Sequence, residues 1–269
     1  MLPRGSIFAE LCCRLGVRFD TIILFYELFG KQNMLPSLEE NLVNERKFSG
    51  SVLALGRALS ILESYCAADD LYAAGVVNSI YFDTPGLLAY RETDNGDNVK
   101  SKVRLRWYGI PDNLPDEVPA FVEVKDRFGS ARQKSHLAVT APRKLLLDTP
   151  LDGWEIQDFL FSSSSGLGVP LSRDLRPVCV ISYNRRRYFD TPTQSRIALD
   201  WDIKADRFNT SLFPWATPVM LDSLVCEFKN KGGTPPGWAA LMANADLRLG
   251  RFSKYGECMS RLLYGGPQT

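Results

Sequence analysis

The sequence predicts an α+β fold in which one antiparallel sheet system is flanked by helices. Beyond Val76, runs of alternating side-chain character recur along the chain, which is typical of β-strands. Pieces rich in Pro, Gly, Asp and Asn separate these runs, for example at 94–98 and 111–119, as expected of turns. Upstream, residues 51–71 carry apolar side chains at helical spacing. Together these observations predict a sheet with peripheral helices.

The predicted elements follow one another in a simple order. Residues 1–40 are expected to form one or two helices that dock on the main body or on a partner, and 51–71 form the clearest helix. A short helix is predicted at 151–160, and 237–263 is expected to be helical in part. The strand-like runs lie at 78–84, 100–109, 120–127, 178–190, 196–203 and 224–231.

The composition excludes several classes of protein. The chain has 269 residues, with 32 Lys and Arg against 31 Asp and Glu, and a formal net charge of +1. This balance argues against a protein that binds nucleic acid by bulk charge, so no nucleic-acid partner is expected. A hydrophobic fraction of 45% and a charged fraction of 23% argue against a wholly disordered chain.

Cysteine, histidine and hydropathy indicate where the protein works. The six cysteines form no C-x-x-C pair, which favours reduced thiols and a cytoplasmic protein. The only histidine is His136, which argues against histidine metal centres and Ser-His-Asp machinery. The longest apolar stretch, 21–29, is much shorter than the ~20 residues of a spanning helix. We therefore expect no transmembrane segment, although a membrane partner remains compatible with the sequence.

The polar faces of the predicted strands are strongly cationic. Lys100, Lys102, Arg104 and Arg106 share one strand face, because successive side chains point to opposite sides. One such strand would be explained as a solvated edge. The same spacing of charged side chains recurs, however, in Glu45-x-Lys47, Glu123-x-Lys125-x-Arg127, Tyr183-x-Arg185-x-Arg187, Arg196-x-Ala198-x-Asp200 and Glu227-x-Lys229-x-Lys231.

Like charges at this spacing repel one another unless something offsets them. If the strands are neighbours, their cationic faces converge on one concave surface that would hold an anion such as a phosphate chain. Carboxylates on that surface would repel the same anion, so their presence needs a separate explanation. Binding of a hard divalent cation, Mg²⁺ or Mn²⁺, by these carboxylates is one. The candidate ligands are Glu227, which we favour, and Glu123, Glu45 and Asp200; each is also placed to pair with a neighbouring Lys or Arg.

With these residues in hand, the sequence resembles the VTC domain, the polyphosphate polymerase domain of the triphosphate-tunnel, or CYTH-like, superfamily. The matching pieces occur in the family's order over residues 41–260. They are ERKF (45–48), SIYFDT (79–84), KVRLRWYG (102–109), FVEVK (121–125), RPVCVISYNRRRYFD (176–190), RIALD (196–200), CEFK (226–229) and RFSKY (251–255). The resemblance implies a VTC-type tunnel domain over 41–265, with 1–40 outside the family match, built as a closed antiparallel β-barrel of about eight strands.

The resemblance also implies an activity: transfer of the γ-phosphoryl group of ATP onto inorganic polyphosphate, with Mn²⁺ or Mg²⁺ as cofactor. Glu227 would bind the metal, and Tyr183 would lie near the nucleotide base. The implied catalytic residues are Lys47, Lys102, Arg104, Arg106, Lys125, Arg185, Arg196 and Lys254. The further residues implied to bind ATP or polyphosphate are Lys134, Arg187, Lys229, Arg251 and Ser253.

Two other functions remain open from the sequence. The same tunnel with water in place of the chain end would be an inorganic tri- or polyphosphatase or a nucleoside triphosphatase. A module that binds polyphosphate or nucleotide without catalysis would keep the cations and lose the acid that binds the metal; the presence of Glu227 counts against it.

Overall fold

The computed structural model describes residues 44–70, 72–129, 131–230 and 234–265. The predicted N-terminal helices at 1–40 and Lys231 lie outside the described residues, so those predictions stay predictions. None of the helices in the described part of the chain has the length and apolar character needed to cross a bilayer.

The strands of the described residues form one antiparallel sheet. They are β1 Asn44–Gly50, β2 Ala67–Ala68, β3 Ala74–Asp83, β4 Val99–Tyr108, β5 Glu117–Phe128, β6 Ala131–Pro142, β7 Arg176–Asp190, β8 Ser195–Phe208, β9 Val219–Leu221, β10 Leu224–Asn230 and β11 Arg248–Gly250. Their hydrogen-bonded order is β11-β1-β10-β8-β7-β3-β4-β5-β6, with β2 paired to β7 and β9 paired to β8.

The expected closed barrel of about eight strands is not confirmed. The sheet has eleven strands in the described residues, and its order ends at β11 on one side and β6 on the other, with no ladder between them. Side chains nevertheless reach across the gap, since Lys125 Nζ on β5 lies 3.1 Å from Glu45 Oε2 on β1. The sheet is therefore curled, with an ion pair rather than backbone hydrogen bonds linking strands near its two ends.

Within the described ranges, five α-helices flank the sheet: α1 Leu55–Tyr65, α2 Leu88–Asp94, α3 Arg143–Leu147, α4 Glu155–Ser163 and α5 Lys254–Tyr264. The helix predicted over 51–71 is shorter than expected, because Cys66 is already extended and leads into β2. The helix predicted at 151–160 is α4, which starts four residues later. The C-terminal region is helical in two parts, a 3-10 segment Gly237–Ala245 and α5, with β11 between them.

The two faces of the sheet are covered differently. On the outer face of β4, Val103, Leu105 and Trp107 pack in one core cluster with Leu146 of α3 and Ile156 of α4. On the inner face, cross-strand partners such as Val77 and Tyr183 pack with Tyr255 and Met259 of α5. Helix α5 thus fills part of the inner face, and the remainder is left open to the cavity described below.

Candidate active site: a cation-lined cavity

A cavity of about 710 Å³ lies on the inner face of the curled sheet. Thirteen Lys and Arg side chains and five carboxylates line it, a formal charge of +8 in a chain whose total is +1. Such an imbalance favours an anionic ligand. The lining cations are Arg46, Lys47, Lys100, Lys102, Arg104, Arg106, Lys125, Arg127, Lys134, Arg185, Lys229, Arg251 and Lys254, and the lining acids are Glu45, Asp94, Glu123, Glu227 and Glu257.

Strand alternation places the cations together. The side chains of Lys102, Arg104 and Arg106 on β4 point into the cavity, while Val103 and Leu105 between them enter the outer core. In the register of β4 and β5, Lys102 lies opposite Lys125 and Arg104 opposite Glu123. Directly opposed residues share a face, so both strands contribute to the same wall.

Glu123 holds three of the cations in place. Its Oε2 accepts from Arg104 Nε at 2.5 Å and lies 3.5 Å from Arg106 Nη1, and its Oε1 lies 2.6 Å from Lys134 Nζ. Burial alone would raise the pKa of Glu123, but Arg104, Arg106 and Lys134 hold this pKa far below its ordinary value. Glu123 therefore stays ionised and positions its neighbours.

Asp200 plays the same part on the opposite wall. It is fully buried and receives two hydrogen bonds from Arg185, Nε to Oδ1 at 2.6 Å and Nη2 to Oδ2 at 2.7 Å. Lys254 Nζ donates to Oδ2 at 2.6 Å. Burial opposes ionisation, yet Lys254 and Arg185 lower the pKa of Asp200 to about 2. Because the bidentate pair fixes the guanidinium plane, Arg185 is presented to the cavity in one orientation.

A pair of glutamates lies beside Lys47. Lys47 Nζ is 3.1 Å from Glu45 Oε1 and 3.7 Å from Glu227 Oε2, and it also donates to the carbonyl oxygen of Phe252 at 3.0 Å. Glu227 Oε1 lies 2.5 Å from Lys229 Nζ. Although burial would raise the pKa of each glutamate, the neighbouring lysines lower that of Glu45 to about 2 and that of Glu227 well below its ordinary value.

These two glutamates form a pair of neighbouring carboxylates that could take part in binding a divalent cation. The described residues contain no group of three or more His, Cys, Asp and Glu side chains able to hold a metal. Mg²⁺ and Mn²⁺ are commonly bound by one or two carboxylates together with substrate phosphates, so Glu227 and Glu45 would hold such an ion only together with a bound phosphate chain. Lys47, Lys125 and Lys229 contact all four carboxylate oxygens and would have to move.

Lys102 differs from the other deep cations. Its Nζ donates to Ser253 Oγ at 2.8 Å, and within the described part of the chain it forms no ion pair with a carboxylate. Burial, followed by the nearby charges of Lys47, Lys125, Lys100 and Arg104, lowers the pKa of Lys102 to about 7. This ammonium therefore loses its proton near neutral pH unless an anion stabilises it.

The start of α5 delivers two site residues. Ser253 caps the helix by accepting from the backbone N–H of Gly256 at 3.1 Å, and Lys254 follows in the first turn. Tyr255 points the other way, into the core, where its hydroxyl donates to Asp83 at 2.8 Å. Asp83 also accepts from the backbone N–H groups of Ala89 and Tyr90, so the SIYFDT and RFSKY pieces meet at one buried carboxylate.

Most of the residues predicted from the sequence come together in the cavity. The lining includes Lys47, Lys102, Arg104, Arg106, Lys125, Lys134, Tyr183, Arg185, Glu227, Lys229, Arg251, Ser253 and Lys254. Arg187 and Arg196 are not among the lining residues. Arg187 lies farther along β7, against Tyr72 and Tyr108. Arg196 is exposed near the start of β8, two positions before Ala198, which itself lies opposite Glu227.

Tyr183 does not have the setting of a base-binding residue. Its side chain is 3% exposed, the Lys254 ammonium lies 4.5 Å from the ring centre, and the Arg185 guanidinium lies 5.3 Å from it. With two cations over its ring, Tyr183 offers little surface for stacking. Burial would raise the pKa of its hydroxyl, but Arg185, Arg106 and Lys254 lower it. Tyr183 instead supports the cations of the wall.

Three lining cations, Lys100, Arg127 and Arg46, are not among the site residues that the family resemblance implies. Lys100 and Arg127 are cross-strand partners on β4 and β5. Both belong to the alternating cationic runs that the sequence shows. Arg46 carries no such signal, because it alternates out of phase with Glu45 and Lys47.

Comparison with known families decides the relationship. The VTC domain family matches residues 42–263. The chain belongs to the VTC domain family. This confirms the resemblance read from the motifs, and the match covers all strands that the structure describes and the cavity of this VTC domain.

Other comparisons add little about activity. No curated protein matches this VTC domain. Two solved structures were found to be similar, both described as a "putative adenylate cyclase". The one from Bacillus halodurans is 15% identical, covers 79% of this chain and 95% of its own, and has a TM-score of 0.47. The one from Vibrio parahaemolyticus is 12% identical, covers 81% and 97%, and has a TM-score of 0.43. These similarities are too low to inform the activity of this chain.

Proposed function

We propose that this VTC domain is a polyphosphate polymerase that transfers the γ-phosphoryl group of ATP onto the end of an inorganic polyphosphate chain. The observation that carries the proposal is the cavity itself, with thirteen cations against five carboxylates inside a VTC domain. Two polyanions must approach each other for this reaction. A wall of preorganised positive charge lowers the repulsion between them and stabilises the charge of the transferring group.

The reaction needs little covalent chemistry from the protein. An oxygen of the terminal chain phosphate attacks the γ-phosphorus of ATP, a new P–O–P bond forms, and the bond to the β-phosphate oxygen breaks to release ADP. The attacking oxygen is already anionic, so no base has to remove a proton from it. Arg104, Arg106 and Arg185 offer bidentate contacts to phosphate oxygens, and Lys102 and Lys125 add mobile point charges.

The carboxylates of the deep cavity favour this nucleophile over water. Glu123 and Glu227 each contact Lys or Arg, and their pKa values are lowered, so they are weak bases at neutral pH. Glu227 with Glu45 would hold Mn²⁺ or Mg²⁺, which supplies further neutralisation of phosphoryl oxygens.

One observation favours the second candidate, an inorganic tri- or polyphosphatase. Lys102, with a pKa of about 7, is a group in the cavity that can accept a proton from an attacking water. Filling the cavity with phosphate would raise this pKa again, and the lysine would then be protonated when the reaction occurs. We therefore rank hydrolysis second.

The test follows labelled γ-phosphate from ATP in the presence of Mn²⁺ and an unlabelled polyphosphate primer. Wild-type protein is expected to move the label into primer-length or longer chains. The variant Arg104→Ala should lower transfer by about 10²-fold, the magnitude typical of losing one preorganised charge stabiliser. A matched control is Lys204→Ala, because Lys204 pairs with Asp206 away from the cavity. Equal transfer by Arg104→Ala and wild type would refute the role of the cavity.

A further inference from the structure

The inner face of the sheet continues past the cavity into a cluster of aromatic rings. We call Tyr72, Tyr108, Phe121 and Arg187 the mouth cluster. The rings of Tyr108 and Phe121 meet edge to face with centres 6.3 Å apart. The Arg187 guanidinium carbon lies 5.4 Å from the ring centre of Tyr108 and 6.0 Å from that of Tyr72. Tyr72 and Tyr108 are 67% and 41% exposed, so both rings are open to a ligand.

The mouth cluster lies in line with the cations that would bind phosphate. Tyr108 follows Arg106 by two residues on β4 and therefore shares its face. The rise of a strand places the two Cα atoms about 7 Å apart. Phe121 lies directly opposite Arg106 on β5, two residues before Glu123. A ligand with its phosphates at Arg104 and Arg106 would extend its next group over these rings.

Unoccupied space lies next to the rings, at Gly75. Gly75 on β3 lies opposite Arg185 of β7 and two residues before Val77, the cross-strand partner of Tyr108. A Cβ atom added to Gly75 would meet no other atom within 4 Å. The inner face therefore has free space at Gly75, next to the strand position that pairs with Tyr108.

The cluster is held in position by the backbone. Arg187 Nη1 donates to the carbonyl oxygen of Tyr72 at 3.0 Å, and the Arg187 backbone N–H donates to the carbonyl oxygen of Ala73 at 2.8 Å. A planar guanidinium held beside exposed tyrosine rings provides surfaces on which a heteroaromatic base can stack. Such stacking is available here and not at Tyr183, whose ring is buried beneath two cations.

We propose that Tyr108, together with Tyr72 and Arg187, forms the stacking site for the base of a nucleoside triphosphate whose phosphates lie in the cavity. The proposal rests on the proposed function, because it requires the triphosphate to bind at Arg104 and Arg106. It assigns the mouth cluster to the nucleoside and leaves the cavity to phosphate. Stacking on tyrosine and arginine is tolerant of base identity, so several nucleoside triphosphates should be accepted.

The test compares two ligands that differ in the nucleoside. Binding of ATP and of tripolyphosphate is measured by titration calorimetry for wild type, Tyr108→Ala and Gly75→Leu in one buffer. Tyr108→Ala is expected to weaken ATP binding by about tenfold, the usual scale of one lost stacking contact. Its tripolyphosphate binding should stay within about twofold of wild type, since no phosphate-binding cation is touched. Gly75→Leu should act in the same direction, because it adds an apolar side chain at a position where a Cβ atom meets no other atom within 4 Å.

The matched control is Tyr264→Ala, because Tyr264 is also an exposed tyrosine, 72% accessible, at the far end of α5. It should leave both ligands unaffected. Equal losses of ATP and tripolyphosphate affinity in Tyr108→Ala, or no loss of either, would overturn the stacking site while leaving the proposed function in place. Failure of wild type to bind tripolyphosphate would overturn the proposed function and the stacking site together.

Discussion

The ion pair network of Asp200 gives the sharpest test of how the cavity wall is built. The substitution Asp200→Asn keeps the shape of a fully buried side chain and removes its charge beneath Arg185 and Lys254. The pKa of Asp200 is about 2 in the folded protein, against 3.8 for an unperturbed aspartate. Ionised Asp200 therefore contributes about 2 kcal/mol to the free energy of unfolding. Leaving two buried cations unpaired raises the expected loss to about 3–5 kcal/mol.

The assay is urea unfolding at pH 7, with Asp206→Asn as the matched control. Asp206 pairs with Lys204 at 3.1 Å but is well exposed, so its loss should cost under about 1 kcal/mol. The sign of the pH dependence follows from the lowered pKa: the contribution of Asp200 is complete above about pH 4 and is lost as the pH falls towards 2. A loss of less than 1 kcal/mol in Asp200→Asn at pH 7 would refute the reasoning.

Three further predictions concern other parts of the site. Lys102→Met should stabilise the ligand-free protein at pH 6, because the folded state disfavours the charged lysine. The gain in stability should shrink as the pH rises from about 7 to 10.5. Thermal melts across this pH range test the prediction, and a gain that does not change with pH would contradict it. Glu227→Gln should abolish activation by Mn²⁺ while tripolyphosphate binding without metal is unchanged or tighter, measured by calorimetry; retained Mn²⁺ activation would place the metal elsewhere. Asp83→Ala should cost about 2–4 kcal/mol in urea unfolding, because it removes the acceptor shared by Tyr255 and the N-terminus of α2, whereas Tyr255→Phe should cost about 1–2 kcal/mol; equal losses would contradict this arrangement.

Strand alternation explains why so much of the site could be predicted. A period of two determines which residues share a face, and this was sufficient to group Lys102, Arg104 and Arg106 with Lys125. Alternation does not determine whether a residue on the correct face lies level with the cavity or beyond it. Arg187 has the correct face but lies beyond the cavity, and Arg196 lies near the start of β8. The position of a residue relative to the cavity depends on how the strands are staggered, which is a property of the whole sheet.

The elements that sequence analysis missed depend on tertiary contacts. Strand β6, Ala131–Pro142, has a half-buried face of mostly small or polar side chains, with Leu137 and Val139 as its larger apolar members. Helix α2 has only seven residues and gains its N-terminal hydrogen bonds from Asp83 on β3. Neither pattern is strong enough in the sequence to predict the element.

Closure of the sheet was the expectation that the structure did not confirm. The family resemblance implied a closed barrel, whereas β6 and β11 remain the two ends of the hydrogen-bonded order. Cross-strand pairing between distant strands leaves no signal in the spacing of one chain. The sequence does predict that Glu45 pairs with a cation, but its pairing with Lys125 depends on the curling of the sheet, which brings β1 and β5 together.

The proposed polymerase joins phosphates in the cavity, whereas the alternative, a phosphatase, would split them with water. Purified protein is incubated with ATP and Mn²⁺, and the products are resolved on a polyacrylamide gel stained for polyphosphate while free orthophosphate is measured in parallel. A ladder of lengthening chains, with one ADP released for each phosphate incorporated, is the predicted result. Release of orthophosphate without a ladder would contradict the polymerase and assign the cavity to hydrolysis.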